Sequence, residues 1–235
     1  MSDKQSTYTW IKSNLITIFY AIIIALLIRT FLFQPFFIPS SSMEPGLLVG
    51  DRIFASKYDY GYSRHSFPFS LPVINGRLFE NSPQRGDVVI FKPPHTKLDY
   101  IKRLIGLPGD KVKIVNGIVY INSNPIETEF IRKDDKGISI YRETLASGES
   151  YEVKDSGDKP QDNINEFLVP ENHYFFMGDN RDNSNDSRFW GPVPTERIVA
   201  KAQIIFFSTK DGSWFIEFWR WPFDIQFERL FKLIK

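Results

Sequence analysis

Residues 111–121 read KVKIVNGIVYI and decide the fold class. Two runs rich in β-branched residues, 111–115 and 118–121, flank Asn116 and Gly117. An Asn-Gly pair accepts the positive φ angles of a type I′ turn, which joins two antiparallel strands through only two residues. The stretch therefore predicts a β-hairpin.

Strand-like runs continue on both sides of the hairpin and are separated by Gly and Pro turns. The stronger runs are 51–57, 86–92, 99–105, 167–170, 173–177 and 199–208, and the weaker ones are 138–142 and 150–153. Beyond the N-terminal segment, no helical pattern of roughly 10–15 residues is present. The sequence thus predicts a mainly β protein, with an N-terminal transmembrane helix, an antiparallel β-sheet domain and a smaller β insertion subdomain.

The N-terminal segment has the composition of a membrane anchor. Residues 15–28, LITIFYAIIIALLI, carry no charge. With their flanks, residues 11–33 exceed the roughly 20 residues that a span needs. Lys12 and Arg29 lie near its two ends, where long side chains can reach the headgroups. A cleaved signal peptide and a buried core helix are the alternatives, but no small-x-small cleavage pattern follows. We therefore predict a single uncleaved anchor.

The charges around this segment predict its orientation. Lys4 and Lys12 precede the span, whereas no basic residue lies between Thr30 and Asp51. Arg29 opposes this bias. By the positive-inside rule, the N-terminus is expected in the cytoplasm and the bulk of the chain on the outer side.

The overall composition excludes several classes of protein. The 235 residues carry a net charge of +1, from 29 basic and 28 acidic side chains, which argues against nucleic acid as a main partner. The absence of cysteine excludes disulfides, a Cys nucleophile and Cys-type zinc. The three histidines, His65, His95 and His173, are too far apart for a helical metal motif. We expect no metal and no cofactor.

We divide the chain into five segments. They are a cytoplasmic tip with the anchor (1–33), the first part of the β core (34–121), an insertion subdomain (122–165), the second part of the core (166–211) and a C-terminal tail (212–235). The tail joins an aromatic stretch, 214–223, to a basic amphipathic end, 227–235, which suits either a membrane interface or core packing. Residues 58–85 fit no motif and receive no function.

A serine cluster follows the anchor at residues 39–45, PSSSMEP. A serine becomes a nucleophile only beside a base. The histidines have no local context for that role, and a lysine can serve if burial lowers its pKa. Lys102 lies in an apolar strand, where period-2 alternation puts it on the same face as Tyr100 and Leu104, with Arg103 pointing away. The alternative is an ordinary solvated strand lysine.

Four sequence blocks together carry a resemblance. PSSSMEP at 39–45, Gly50-Asp51, YIKRLIGLPGD at 100–110 and GDNRDNSNDSR at 178–188 follow the anchor in this order. In this arrangement the chain resembles the bacterial type I signal peptidases, or leader peptidases. The blocks run from about residue 35 to residue 202, so the resemblance covers most of the chain.

The resemblance implies roles at matching positions. Ser42, directly before methionine, would be the nucleophile, and Lys102 the general base of a Ser–Lys dyad. The Ser40 hydroxyl and the backbone N–H of Ser42 would form the oxyanion hole. Ser41 occupies a position that is often glycine in the family. In an extended segment it would point away from Ser40 and Ser42, so its role stays open.

The last block would support the dyad. Ser184 matches the serine that orients the lysine, and Asp186 with Arg188 matches a supporting ion pair. A calcium loop is the alternative for this block, since Asp182, Ser184 and Asp186 alternate. It lacks the glycine and the glutamate that an EF-hand loop needs at its sixth and twelfth positions.

Other positions match the family's substrate pockets, and these are Phe36, Ile38, Pro39, Tyr100 and Ile101. Pockets of this kind would select an A-x-A pattern at the end of a signal peptide. The alternative for residues 36–38 is the interfacial end of the anchor. The resemblance implies a membrane-bound serine endopeptidase of the bacterial inner (plasma) membrane, with its catalytic domain on the outer or periplasmic side. Its partners would be secretory preproteins, membrane lipid and, transiently, the export machinery.

Three alternative functions remain. A specialised processing protease, such as one for conjugative pilus subunits, would use the same dyad. A self-cleaving repressor shares the chemistry but has no membrane anchor. An inactive membrane-anchored domain that binds export partners would not need Ser42, Lys102 and Ser184, which are all present.

Overall fold

The computed structural model describes residues 2–67, 70–71, 74–210, 212 and 217–235, without the side chains of residues 2–8 and 218. The chain begins with helix α1 (Ser2–Leu27) and continues through a π-helical turn (Ile28–Leu32). The stretch Thr9–Leu32 is long and apolar enough to cross a membrane, and its side chains pack against little else. This agrees with the predicted anchor.

Strands dominate the rest of the chain. In chain order they are β1 (Phe33–Phe37), β2 (Asp51–Ser56), β3 (Tyr62–Ser63), β4 (Arg77–Leu78), β5 (Val88–Phe91), β6 (Tyr100–Gly106), β7 (Lys111–Val115), β8 (Ile118–Ile121), β9 (Asn124–Pro125), β10 (Glu127–Lys133), β11 (Ser139–Thr144), β12 (Ser150–Asp155), β13 (Ile164–Leu168), β14 (His173–Met177), β15 (Val193–Pro194), β16 (Ile198–Ser208) and β17 (Lys232–Leu233). Two short helices, α2 (Ser187–Trp190) and α3 (Trp221–Asp224), complete the regular elements with several 3₁₀ turns.

The strands form one large sheet and three smaller ones. The large sheet has the order β1-β2-β16-β5-β6-β14-β15, and β17 pairs with β16 outside this path. The smaller sheets are β10-β11-β12, β13-β7-β8-β9 and the pair β3-β4. All strand pairs within these sheets are antiparallel, as the sequence predicts.

The predicted hairpin forms as β7 and β8. Asn116 and Gly117 have φ angles of 49° and 79°, which the type I′ turn requires. Val112 and Ile114 are buried on one face, whereas Lys111 is exposed on the other. The local pattern therefore determines this element without help from distant residues.

Two local expectations differ from the structure. The predicted run at 167–170 lies too late, because the strand is β13, Ile164–Leu168. The strand β10 was not predicted. Its side chains are almost all exposed, so it shows no buried face that a sequence pattern could reveal.

The serine segment at residues 39–45 is fastened to the hydrophobic core. Ile38, Met43 and Leu47 are each 1% exposed and pack in one cluster with β2, β5 and β16 residues. Two backbone hydrogen bonds close the loop between β1 and β2, from Ile38 N to Asp51 O (2.9 Å) and from Gly50 N to Ile38 O (3.0 Å). The serines between these points are thus held at both ends.

Part of the unassigned segment 58–85 packs against the end of the apolar helix. The Tyr62 hydroxyl donates a hydrogen bond to Phe31 O at 2.7 Å. The Phe31 ring also packs edge-on against Tyr62 and Phe67, and Phe33 packs against Tyr58. These contacts join the helix to the β domain.

The end of the C-terminal tail packs on the large sheet. The side chain of Arg229 is buried and forms an ion pair with the fully buried Asp51, at 2.5 Å between Nη2 and Oδ2. Asp51 also accepts hydrogen bonds from Ser208 Oγ (2.7 Å) and Leu48 N (2.8 Å). Residues 214–216 of the aromatic stretch lie outside the described residues. A lipid contact of the tail therefore stays a prediction, and its exposed apolar side chains include Phe223, Phe227 and Phe231.

We predict that Arg229→Met lowers the free energy of unfolding by about 3–5 kcal/mol, because it leaves the charge of the buried Asp51 carboxylate without an ion-pair partner. Urea denaturation of the detergent-solubilised protein measures this. The control is Arg142→Met, whose pair with Glu129 is 45% and 70% exposed, and whose loss should cost about 0–1 kcal/mol. Equal effects of the two substitutions would contradict the role given to the buried pair.

Candidate active site

Ser42 lies in a 3₁₀ turn, Ser41–Met43, that follows the end of β1. Ser40 precedes the turn in an extended conformation, and Glu44 N donates to Ser41 O at 3.0 Å to close it. The burial of the Met43 side chain draws the turn toward the core, and Ser42 itself is 8% exposed. The turn therefore presents one serine at the edge of the hydrophobic core.

Lys102 reaches this serine from β6, which pairs with β5 on one side and β14 on the other. Its Nζ lies 2.5 Å from Ser42 Oγ and 3.0 Å from Ile101 O. The side chain is buried, as the strand pattern predicts for a lysine on the apolar face. The structure thus brings together the two residues that the sequence proposes as a dyad.

Burial lowers the pKa of Lys102 to about 8, from an ordinary value of 10.5. The charges of Asp186 and Asp179 act in the opposite direction and favour the ammonium, while Arg188 lowers the pKa further. Within the described residues, Lys102 forms no ion pair. At pH 7, roughly a tenth of the molecules would then carry a neutral Lys102 amine, since the ratio of neutral to charged amine falls tenfold for each pH unit below the pKa.

The other two serines of the cluster point in different directions. Ser40 Oγ lies 3.4 Å from Ser42 Oγ. Ser41 Oγ instead accepts a hydrogen bond from Asn183 Nδ2 at 2.7 Å. The hydroxyls of Ser40 and Ser42 point the same way, as expected. The expectation assumed an extended segment, whereas residues 41–43 form a 3₁₀ turn.

The loop at 178–188 packs directly on the serine turn. Asn180 donates twice, from its backbone N to Ser42 O (3.1 Å) and from Nδ2 to Ser41 O (3.0 Å). A Cβ atom on Gly178 would lie 2.5 Å from Ser42 O and 2.2 Å from Ser184 Oγ. A glycine is required at this close approach.

Three buried ion pairs hold this loop, and one of them joins Arg181 to Glu143 at 2.6 Å. Arg188 donates to Asp186 from Nε to Oδ1 and from Nη2 to Oδ2, both at 2.9 Å. Asp186 Oδ2 also accepts a hydrogen bond from Gly178 N at 2.9 Å. Arg103 forms a bidentate pair with Asp179, with both contacts at 2.7 Å. Strand alternation predicts that Arg103 lies on the face opposite Lys102, but it does not predict the ion pair with Asp179.

Ser184 lines the same cleft but does not contact Lys102 by a hydrogen bond. Its Oγ is buried and has no hydrogen-bond partner within the part of the chain that the structure describes. The lysine-orienting contact that the resemblance implies is therefore not formed in this conformation.

A cleft of about 670 Å³ opens beside Ser42 and Lys102. The residues predicted to contact substrate all line it, and they are Phe36, Ile38, Pro39, Tyr100 and Ile101. Leu98, Phe189 and the polar residues Asp182, Asn183 and Asn185 were not predicted and also line it. Leu98 and Phe189 carried no motif signal, whereas the three polar residues lie in the 178–188 block but were not expected to contact substrate. Among the described side chains, no group of three or more His, Asp or Glu residues is arranged to hold a metal ion.

Comparison with known proteins gives concordant matches. The sequence profile of the family described as "Signal peptidase, peptidase S26" matches residues 9–207. A protein named signal peptidase I from Rickettsia massiliae is 42% identical over 228 residues, covering 91% of this chain and 86% of that protein. One from Rickettsia bellii is 40% identical over 255 aligned positions, covering 98% and 86%. A crystal structure of a signal peptidase I from Enterococcus faecalis is 28% identical, covers 52% of this chain and 97% of its own, and has a TM-score of 0.33.

We predict that the Lys102 amine titrates near pH 8. The desolvation of its buried ammonium causes this lowered pKa. Carbon-13 methylation of the lysines followed by NMR titration measures it, with Lys102→Met identifying the resonance. A Lys102 resonance that titrates above pH 10 would contradict the account.

Proposed function

Because this chain belongs to the signal peptidase family, peptidase S26, we propose that it removes N-terminal signal peptides from exported preproteins, with Ser42 as nucleophile and neutral Lys102 as general base. Membership of this family makes the chain a peptidase. The observation that carries the proposal is the 2.5 Å separation of Lys102 Nζ and Ser42 Oγ in a buried site that opens into a cleft.

The geometry supports a two-step acyl transfer. Neutral Lys102 accepts the proton of Ser42 Oγ as that oxygen attacks the scissile carbonyl carbon. The resulting ammonium then donates its proton to the leaving amine as the C–N bond breaks, which leaves an ester on Ser42. Water attacks the ester while Lys102 again accepts a proton. The ammonium then returns this proton to Ser42 Oγ as the ester C–O bond breaks, which frees the serine and the carboxylic acid product.

The oxyanion would form beside the serine turn. The backbone N–H of Ser42 and the hydroxyl of Ser40 are the proposed donors, and Ser40 Oγ is already 3.4 Å from Ser42 Oγ. Donors of this kind stabilise charge that develops only in the transition state, and one of them can contribute about 10²–10³-fold in rate. The Asn180 hydrogen bonds to Ser41 O and Ser42 O support the fixed direction of that N–H group.

The cleft suits an extended peptide with small side chains. The strand β1 is at one end of the large sheet, so one of its edges has no neighbouring strand in the described fold. An extended segment can pair with such an edge through backbone hydrogen bonds. The apolar lining from Phe36, Ile38 and Ile101 would then select alanine-like residues, the A-x-A pattern of secretory signals.

The apolar helix would place this cleft close to the bilayer. Thr9–Leu32 ends next to β1, and β1 supplies Phe36 to the cleft. By the positive-inside rule, we propose a cytoplasmic N-terminus and a catalytic domain on the outer side of the bacterial plasma membrane. The cleavage site of a translocating preprotein emerges on that side.

We predict that Ser42→Ala and Lys102→Met each lower kcat/KM for a purified preprotein by about 10³-fold or more, because each removes a reacting group. The matched control is Ser41→Ala, which loses one hydrogen bond to Asn183 and should cost about fivefold at most. Gel analysis of cleaved preprotein measures all three. Full activity of Lys102→Met would exclude the dyad. If only Ser41→Ala lost activity, the nucleophile would be Ser41 and not Ser42.

We predict that kcat/KM rises with pH on the acid limb, with a midpoint near 8. The sign follows from the base: below its pKa Lys102 carries a proton and cannot accept another, so activity is lost as the pH falls. Initial rates at a substrate concentration below KM measure this profile. A flat profile between pH 5 and pH 9 would exclude a lysine base.

A further inference from the structure

A second, smaller cavity of about 130 Å³ lies where the apolar helix meets the β domain. Its charged lining consists of Arg29, Lys57, Lys92 and Asp99, with His65 beside them. None of the basic residues belongs to the dyad or to the ion pairs of the 178–188 loop. The catalytic mechanism therefore leaves this cavity without a role.

The cavity has an excess of positive charge. Its carboxylate, Asp99, is already paired with Lys92 at 2.6 Å. Lys57 is 2% exposed, and its Nζ donates to Ser66 O at 2.5 Å. Throughout the described residues, neither Lys57 nor Arg29 forms an ion pair with an acid. Lys57 and Arg29 thus face the cavity without an ion pair of their own, and the one carboxylate there, Asp99, only partly offsets the positive charge.

The electrostatics favour an anion in this position. Burial lowers the pKa of Lys57 to about 8, and the charge of Arg29 is the next cause. Burial together with Arg64, Lys92 and Arg197 also lowers the pKa of His65 to about 4. An oxyanion in the cavity would stabilise the charged form of Lys57, because an opposite charge nearby favours ionisation.

The position of the cavity indicates the source of that anion. Arg29 lies in the last turns of Thr9–Leu32, at the end of the segment that can span a membrane. The aromatic rings of Phe31, Tyr62 and Tyr58 lie around the same junction. Tyrosine is typical of the level of the lipid headgroups, and a long arginine side chain at the end of a span can reach that level. The volume suits a small oxyanion and is too small for an acyl chain.

We propose that this cavity binds the phosphate group of an anionic phospholipid headgroup. Arg29 offers a forked donor and Lys57 a buried point charge, the two kinds of group that recognise phosphate. Asp99 also lines the active-site cleft, so the lipid site adjoins that cleft and would fix the β domain against the bilayer. The proposal does not depend on the assignment of the dyad.

Native mass spectrometry of the full-length protein, released from detergent with equal amounts of phosphatidylglycerol and phosphatidylcholine of the same acyl chains, tests this. We expect phosphatidylglycerol adducts to be retained in excess. Arg29→Gln and Lys57→Gln should each lower that preference by about fivefold, the effect of one basic residue near an anionic lipid surface. Lys113→Gln, an exposed lysine on β7, is the matched control and should leave the preference unchanged.

A substitution of opposite sign keeps the test independent of folding defects. Asp99→Asn removes the carboxylate of the cavity and should raise the preference for phosphatidylglycerol. If Lys57→Gln fails to fold because this residue is buried, the variants Arg29→Gln, at an exposed residue, and Asp99→Asn still decide the result. Equal retention of the two lipids, or a preference that none of these variants changes, would overturn the proposal.

Inorganic phosphate distinguishes the lipid from a soluble ligand. At millimolar concentration it should displace little of the bound phosphatidylglycerol, since the lipid is also held by its acyl chains. A phosphate adduct that is sensitive to Arg29→Gln, without any lipid preference, would assign the cavity to a soluble phosphate and overturn the lipid assignment.

Discussion

The contact between Lys102 and Ser42 depends on keeping an amine out of water. A buried ammonium without an ion-pair partner is unfavourable, and the protein lowers that cost by lowering the pKa of the amine. The same burial that disfavours the charge makes a neutral amine available as a base near neutral pH. Asp186 and Asp179 limit the shift, so that the pKa stays near 8 and the protonated form remains available to donate.

Holding this contact requires residues that are distant in sequence. The serine turn comes from the loop after β1, the lysine from a central strand, and the covering loop from residues 178–188. Arg103–Asp179 and Arg188–Asp186 fasten that loop, while Asn180 bonds to the backbone of the serine turn. Gly178 permits the closest approach, because any side chain there would collide with Ser42 O. The distance between Ser42 and Lys102 therefore depends on contacts among segments that are far apart in the sequence.

Local patterns in the sequence predict the elements whose determinants are local. The hairpin β7–β8 follows from its Asn-Gly turn, and the strand carrying Lys102 follows from alternation. The strand β10 could not be predicted because its side chains are exposed on both faces. The packing of Tyr62 on Phe31 could not be predicted because it is a tertiary contact. The family resemblance predicted that Ser42 and Lys102 lie together, and local patterns alone did not. It did not predict that Ser184 Oγ would lack a hydrogen bond among the described residues, nor that Asn183 would hold Ser41, since both depend on the exact path of the loop.

The most direct test of the central claim is mass spectrometry of a purified preprotein incubated with the detergent-solubilised protein. The account predicts two products, whose masses place a single cleavage directly after an A-x-A sequence at the end of the signal peptide. An intact preprotein, or cleavage at positions unrelated to small residues, would contradict it.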